Sequence, residues 1–339
     1  MKKVALKIAY IGTNFHGFQR QPKHRTVEGE MIYTLKKLGY IDDLESSKFG
    51  IAGRTDRGVH SIGNVISFMS EREVMVNHIN NKLPDDIQII AKAPVRYGFK
   101  PRYAQSKHYR YVFFEEGLDI SSMKKLAKLF EGEHDFVNFS KRNKSQKTTI
   151  RNISKINIIT NNETEEDNIH GYIENKYSQK VDNPKYLSSP KYTSDLKESD
   201  DFIETNYIGE FKSVGRFNEN FQNVNFNEST YKTVFIDVYG ESFLWNMIRK
   251  MMRIFLFVGK GEINLNEVKK MFDPTEKYNI KPLNPENLIL MDIEYNNIKF
   301  KYDDYAFEGF KRTLVKNLFD YKMKISLENC ILNSLESLK

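Results

Sequence analysis

Hydrophobic and polar residues alternate near the beginning of the chain, over residues 4–12. A period of two is typical of a β-strand that turns one face toward a core. The larger apolar side chains fall on one side and the smaller or polar ones on the other: Leu6, Ile8 and Tyr10 against Ala5, Lys7 and Ala9. This alternation predicts a half-buried strand.

The segment after Thr26 has a helical period instead. Thr26 can cap the start of a helix here, and Gly39 can close its end. The apolar residues recur at helical spacing, which places them on one face: Val27, Met31, Leu35 and Leu38. A second short amphipathic helix is predicted for "SMKKLAKLFEGEHDF", ending near Gly132.

Several other segments have the pattern of strands. The one at 108–114, "HYRYVFF", presents Tyr109, Tyr111 and Phe113 together on one face. The others lie at residues 64–68, 86–95, 156–160 and 233–240. Strands mixed with few long helices predict an α+β chain with a largely antiparallel sheet.

The region from about residue 160 to 229 does not resemble a core. It is rich in Asn, Asp, Glu, Ser and Tyr and has no sustained period. Such a composition is typical of a mobile insertion. Its scattered Phe and Tyr residues leave a small folded flap as the alternative.

Composition narrows the class of protein. A chain of 339 residues, 40% of them hydrophobic, can bury a core large enough for two domains. No apolar window approaches the roughly 20 residues that a membrane helix needs, and the N-terminal residues lack a signal peptide's pattern, so we expect a cytoplasmic protein. The single cysteine, Cys330, excludes an internal disulfide and a cysteine-cluster metal site, and we interpret it as a core residue.

Charge is distributed unevenly along the chain. Residues 160–229 contain seven Lys and Arg against fourteen Asp and Glu, a balance of −7. Because the whole chain carries +7, the remainder carries +14. Clustered basic residues favour binding to a nucleic acid, although a merely soluble basic protein remains an equal alternative on charge alone.

The segment "GESFLWNMIRKMMRIFLFVGKG", residues 240–261, predicts an apolar helix. On a helical wheel Arg249 lies in line with Trp245, Met252 and Leu256. An unpaired buried guanidinium costs several kcal/mol or more, so a buried Arg249 requires an acidic partner from elsewhere in the fold. The alternative is that Arg249 extends past Trp245 to solvent.

A candidate partner lies in the loop "AGRTDRGVHS", residues 52–61. This loop holds one acidic side chain, Asp56, between Arg54 and Arg57, and His60 follows. A lone histidine without a second ligand at metal spacing is poor evidence for a metal, so we expect His60 to pack or to hydrogen-bond locally.

Ordered blocks of sequence resemble the TruA type of tRNA pseudouridine synthases. They span roughly residues 4–295, interrupted by the acidic region: "YIGTNFHGFQRQ", "GRTDRGVHS", "LPDDI", "KHYRYVFF", "GEHDFVNFS", "IRNISKINI", "SFLWNMIRKMM" and "KPLNPENLILMDIEY". The resemblance implies an isomerase that converts uridine to pseudouridine at positions 38–40, in the anticodon stem-loop of tRNA. It also implies a homodimer, with no cofactor and no metal.

The fold that the resemblance implies is α+β, with two pseudo-twofold-related halves whose mainly antiparallel sheets join edge to edge around a catalytic cleft. The N-terminal half, with the aspartate loop, would span residues 1–105. The C-terminal half would span 106–300, interrupted by the insertion at 160–229. Residues 301–339 would form an extension, in which "FEGFKRTLVKNLFDY" resembles an amphipathic helix that covers a sheet edge or takes part in a dimer contact.

The resemblance also assigns roles to residues. Asp56 would be the catalytic carboxylate, acting as a nucleophile at C1′ or as a base at C2′, and Arg249 would pair with it. Tyr111 matches the tyrosine that stacks on uracil, although from the strand pattern alone a core tyrosine is the first interpretation. Arg54 would fill the gap left by a flipped nucleotide, and Arg57 would meet a phosphate.

Two other classes of function compete with this one. The first is an RNA-binding protein that keeps the fold without the reaction. The presence of Asp56, Tyr111 and Arg249 argues against this class. The second is a metal-dependent nuclease or hydrolase that uses the carboxylates of "PDD" and "YDDY". Those two segments are more typical of a turn and of a solvated strand end.

Overall fold

A single mixed sheet carries both halves of the chain in the computed structural model, which describes residues 1–141, 148–160 and 231–338. Its strands are β1 (Lys2–Tyr10), β2 (Gly50–Ile51), β3 (His60–Ser70), β4 (Ile87–Pro94), β5 (Ser106–Glu116), β6 (Gly132–Asp135), β7 (Ile150–Thr160), β8 (Tyr231–Gly240), β9 (Leu288–Glu294) and β10 (Lys301–Tyr302). The helices are α1 (Val27–Lys37), α2 (Val76–Asn80), α3 (Ile120–Phe130), α4 (Met247–Gly259), α5 (Leu265–Lys270) and α6 (Asp304–Ser337). Short 3-10 turns occupy Gly12–Asn14 and Pro285–Asn287.

The sheet runs in the order β10-β4-β1-β3-β9-β5-β8-β7-β6, with β2 paired to β3. Neighbouring strands are antiparallel except β3 and β9, which are parallel and join the two halves edge to edge. The predicted α+β class, with a mainly antiparallel sheet, is confirmed. A pseudo-twofold relation between the halves stays a prediction.

Two main cores lie against the sheet: one is formed by the first half, and the larger one is formed mostly by the second half together with Ala52, Val59 and Val65 of the first. Helix α1 covers the first half, where Thr26 caps the helix by accepting a hydrogen bond from the Gly29 N–H at 3.2 Å, and Gly39 takes a left-handed φ of 67° after its end. Helices α3 and α4 cover the second half and pack on the face of β5 that carries Tyr111. Both helical predictions for residues after Thr26 and before Gly132 are therefore confirmed.

Strand β1 differs from its prediction because both of its faces are buried. On the second face Ala9 packs against Ile90 and Phe310, and Lys7 is only 5% exposed. Lys7 forms an ion pair with Asp292, which compensates the burial of its charge. The cover for this face comes from the far end of the chain, where the alternation within residues 4–12 cannot reveal it.

The C-terminal extension folds as a longer helix than predicted. Helix α6 packs on β4 through its first turns, where Ala306 and Phe310 are buried, next to the outermost strand β10. Its later turns are exposed, and Cys330 lies among them. The interpretation of Cys330 as a core residue was therefore wrong, because this part of α6 extends beyond the sheet that its first turns cover.

The predicted insertion at 160–229 lies outside the described residues from position 161 onward. The predicted domain boundary near residue 105 falls just before β5 and stays a prediction. Among the helices in the described part of the chain, none is long and apolar enough to cross a membrane.

Candidate active site

The loop that carries Asp56 lies between β2 and β3 and packs against the segment that follows β1. The main-chain N–H of Phe18 donates to the carbonyl oxygen of Thr55 at 3.0 Å, and the Thr55 and Tyr10 hydroxyls are 2.9 Å apart. Asn64 of β3 donates to the carbonyl oxygen of Gly53 at 3.1 Å. These bonds fix the backbone on both sides of Asp56.

Two glycines permit this close packing. A Cβ on Gly12 would lie 2.2 Å from the carbonyl oxygen of Val59, and one on Gly17 would lie 2.9 Å from that of Thr55. Gly17 also has a φ of +86°, which a side chain disfavours. The motif "YIGTNFHG" is therefore required as a close-fitting support for the aspartate loop.

Asp56 forms an ion pair with Arg249 from the other half of the sheet. A terminal nitrogen of Arg249 donates to Oδ2 of Asp56 at 3.0 Å. The Nε of Arg249 donates to the carbonyl oxygen of Leu283 at 2.7 Å. The side chain of Arg249 is 14% exposed and that of Asp56 is 27% exposed. Asp56 is thus the acidic partner that a buried Arg249 requires, and the alternative in which Arg249 extends to solvent is excluded.

Trp245 is a second partner of Asp56. The sequence pattern did not predict this role for the tryptophan. Its indole N–H donates to Oδ1 of Asp56 at 3.0 Å. The predicted helix over residues 240–261 is wrong at its start, because Gly240 ends β8 and Trp245 precedes α4. Asn246, with a left-handed φ of 62°, forms the turn between Trp245 and the helix. A helical wheel drawn through Trp245 therefore cannot show where its side chain lies.

The pair lies in the wall of an open cavity of about 390 Å³. Residues of both halves line it: Thr13, Asp56, Arg57, Gly58, Trp245, Asn246, Arg249, Pro285 and Glu286. A carboxylate, a guanidinium and an indole therefore meet at one accessible surface. This arrangement suits a reaction on a bound polar ligand.

The two predicted arginines of the aspartate loop differ in position. Arg57 lines the cavity and is exposed, so its charge can meet an anionic ligand there. Arg54 is also exposed but does not belong to the lining of this cavity. Their roles stay predictions.

The hydrogen-bond partner of the Tyr111 hydroxyl is the main chain of Asn284. That hydroxyl donates to the carbonyl oxygen of Asn284 at 3.2 Å, and burial raises the pKa of Tyr111 to about 12. Tyr109 lies on the same face of β5, and burial raises its pKa, with smaller contributions from Tyr10 and from the charge of Asp56. Among the described residues, none forms a hydrogen bond with the Tyr109 hydroxyl. The catalytic role of Tyr111 stays a prediction, and Tyr109 is a second tyrosine on the same face of the strand.

Two further side chains hold the loop in place. His60 accepts a hydrogen bond from the Gly12 N–H, which confirms the prediction that His60 forms a local hydrogen bond. Lys107 of β5 donates to the carbonyl oxygen of Ala52 at 3.1 Å, and burial lowers the pKa of Lys107 to about 8. A lysine in the block "KHYRYVFF" thus supports the start of the aspartate loop from the other half.

One carboxylate in each segment proposed for a metal-dependent hydrolase has a structural partner instead. Asp86 of "PDD" forms an ion pair with Arg25 at 2.8 Å, and Asp303 of "YDDY" accepts a hydrogen bond from the Ala306 N–H at 3.0 Å. Within residues 1–141, 148–160 and 231–338, no group of three or more His, Cys, Asp or Glu side chains could hold a metal ion.

Comparison with known proteins shows the family of the chain. A family model described as tRNA pseudouridine synthase matches residues 126–296. The tRNA pseudouridine synthase A of Methanobrevibacter smithii is 49% identical over 342 residues, which cover 100% of this chain and 99% of that protein. The protein of the same name from Methanothermobacter thermautotrophicus is 36% identical and covers 100% of this chain and 98% of its own length.

Among solved structures, a chain from an H/ACA ribonucleoprotein bound to a substrate RNA containing 2′-deoxyuridine is similar over 75% of this chain and 53% of that chain. The sequence identity is 12% and the TM-score is 0.24. The sequence relatives define the class as an isomerase that modifies RNA. The chain belongs to the tRNA pseudouridine synthase family.

Proposed function

We propose that this protein converts uridine to pseudouridine at positions 38–40, in the anticodon stem-loop of tRNA. The observation that carries the proposal is the pairing of Asp56 with Arg249 across the two halves of the sheet, at the wall of an accessible cavity. Family membership and the net charge of +14 outside residues 160–229 support tRNA as the substrate.

The chemistry needs a fixed carboxylate beside the ribose. The reaction breaks the bond between N1 and C1′, turns the uracil, and forms a bond between C5 and C1′; C5 then loses its proton, and N1 gains one. Asp56 attacks C1′ as a nucleophile or removes a proton from C2′, and Arg249 balances its charge and orients it. The isomerisation changes no redox state and transfers no external group, so the proposal includes no cofactor.

The target base must leave the stem before it can reach Asp56. Unstacking costs a few kcal/mol, and the enzyme recovers this energy through contacts with the flipped nucleotide. In the proposal Arg57 meets a phosphate at the mouth of the cavity, and Arg54 occupies the space that the base leaves. Both side chains are exposed, as these roles require.

The proposal includes a cytoplasmic homodimer in which one tRNA contacts both subunits. Exposed apolar side chains on the later turns of α6, among them Leu318, Ile325 and Leu332, offer a surface for subunit contact. Sedimentation equilibrium of the full chain tests this part of the proposal. A monomer at micromolar concentration would contradict it.

The central experiment incubates the purified protein with unmodified tRNA and maps pseudouridine by carbodiimide-dependent stops of reverse transcription. We expect stops at positions 38–40 with the wild type and none with Asp56→Asn. A matched control is Asp42→Asn, because Asp42 is an exposed carboxylate on the surface. Stops at other positions would contradict the site of action, and turnover by Asp56→Asn would contradict the role of Asp56.

A further inference from the structure

Within the described part of the chain, the carboxylate of Asp56 has one hydrogen-bond donor on each oxygen. Arg249 donates to Oδ2 and the indole Nε1 of Trp245 donates to Oδ1, each at 3.0 Å. A single donor would leave the carboxylate free to rotate about its Cβ–Cγ bond. Two donors on different oxygens fix the plane of the group, so Trp245 supplies an orientation that Arg249 alone does not.

The backbone of Trp245 is held independently of Asp56. Its carbonyl oxygen accepts a hydrogen bond from the Lys141 N–H at 2.9 Å, and the Lys141 ammonium lies 4.2 Å from the centre of the indole ring. The left-handed conformation of Asn246 then turns the chain into α4, which carries Arg249. One short segment therefore presents both donors, although Trp245 lies before the helix and Arg249 lies within it.

We infer that Trp245 is a positioning residue, whose indole N–H orients the Asp56 carboxylate toward the ribose. The inference rests on the proposed catalytic role of Asp56. The indole is neutral, so it directs the carboxylate without neutralising it, whereas Arg249 supplies the balancing charge. The lone pairs of Asp56 that these two donors leave free are the ones available to the substrate. Removal of the N–H should therefore slow the chemical step and leave tRNA binding largely intact.

The sequence permits an unusually specific test, because Trp245 is the one tryptophan among the 339 residues. Biosynthetic replacement of tryptophan by β-(3-benzothienyl)alanine changes only this side chain, and it substitutes sulfur for the N–H with nearly the same shape. We expect the single-turnover rate to fall on the order of 10- to 100-fold, because orientation of a reacting group contributes at this level. The dissociation constant for tRNA should change by less than about twofold.

Replacement of Trp245 by 5-fluorotryptophan keeps the N–H, so this enzyme should retain most of the wild-type single-turnover rate.

If the benzothienyl enzyme reacts as fast as the wild type, the inference is wrong. A loss of tRNA affinity that accounts for the whole effect would also overturn it, because Trp245 would then act by contacting the RNA. If Asp56→Asn is inactive while the benzothienyl enzyme is fully active, the inference alone fails. If Asp56→Asn is active, the proposed function fails.

A spectroscopic measurement tests the hydrogen bond without activity. Protein labelled with ¹⁵N-tryptophan gives one indole resonance, since the chain contains one tryptophan. Asp56→Asn should move its proton upfield, because an amide is a weaker acceptor than a carboxylate. Asp42→Asn, the surface control, should leave the resonance in place. A resonance that does not respond to Asp56→Asn would show that the indole does not bind this carboxylate.

Discussion

The imidazole of His60 accepts a hydrogen bond from the main-chain N–H of Gly12, with 3.1 Å between Nδ1 and the amide nitrogen. This bond joins the end of the aspartate loop to the turn after β1. Burial lowers the pKa of His60, against smaller opposing effects of the Glu286 main chain and of the Glu286 charge. A proton on Nδ1 would remove the acceptor, so the loop depends on a neutral His60.

Acid should therefore weaken the fold through His60. Because its folded pKa lies below the ordinary value of 6.5, the unfolded chain binds the proton more readily. The contribution of His60 to the free energy of unfolding is complete above the ordinary pKa of 6.5, and it is lost as pH falls through the folded pKa. His60→Asn keeps an acceptor that does not titrate, so its melting temperature should fall less in acid. Melts over pH 5 to 8 test this, with the exposed His24→Asn as the control. Equal acid sensitivity of wild type and His60→Asn would contradict the role of His60.

A methyl group on Gly12 should disrupt the same contact. Its Cβ would lie 2.2 Å from the carbonyl oxygen of Val59, a backbone atom that cannot move without the loop. We expect Gly12→Ala to lower the free energy of unfolding by about 3 kcal/mol and to lower turnover as well. Gly98→Ala is the control, because nothing lies within 4 Å of its added Cβ. Urea denaturation compares the two variants, and similar midpoints would refute the close approach.

Arg249→Lys should not be conservative. Arg249 binds the Asp56 carboxylate and the Leu283 carbonyl through different nitrogens of one planar group, a geometry that an ammonium cannot reproduce. We expect the single-turnover rate to fall about 10- to 100-fold, with little change in tRNA affinity. Arg249→Ala should lower it on the order of 1,000-fold and cost about 1–3 kcal/mol of stability, because the pair is partly exposed.

Arg253→Ala is the control for these variants. Arg253 lies one turn later on α4 and donates to the Lys281 carbonyl oxygen at 3.3 Å, so it tests the loss of a cation from the same helix. Its rate should stay within about threefold of the wild type. Full activity of Arg249→Ala would show that Asp56 does not need this partner.

The two tyrosines of β5 should differ in their effects on the reaction. Tyr109→Phe removes a hydroxyl whose pKa is raised by burial and, to a smaller extent, by Tyr10 and Asp56; if this hydroxyl carries the proton from C5, we expect the single-turnover rate to fall about 100-fold. Tyr111→Phe removes a hydrogen bond to Asn284, and we expect a loss of about 1 kcal/mol of stability with a rate change below tenfold. Rapid-quench measurement of pseudouridine formation separates the variants. The opposite order would support Tyr111 as the catalytic tyrosine.

Periodicity predicted most of the described elements correctly. The strand that carries Tyr109 and the helix that follows Thr26 depend on local alternation and capping, which the sequence displays directly. A guanidinium in apolar surroundings needs a carboxylate, and this requirement made Asp56 a candidate partner of Arg249, while only the structure excluded exposure of Arg249 to solvent.

Other features depend on contacts that no local pattern contains. The left-handed turn at Asn246 separates Trp245 from α4, and nothing in an apolar run of residues indicates where its helix begins. The direction of the Tyr111 hydroxyl depends on the carbonyl of Asn284, which is 173 positions away in the sequence. The second buried face of β1 depends on Phe310, and the exposure of Cys330 depends on where α6 leaves the sheet.

The polypeptide leaves the first half of the sheet before β5 and returns to it at β10 and α6, which pack on β4. A ribosome therefore begins this half first and finishes it last. Until Phe310 has emerged, Ala9 and Ile90 lack the side chain that buries them in the finished fold. Asp56 is thus made early in translation, but its supporting scaffold is complete only when nearly the whole chain has been synthesised.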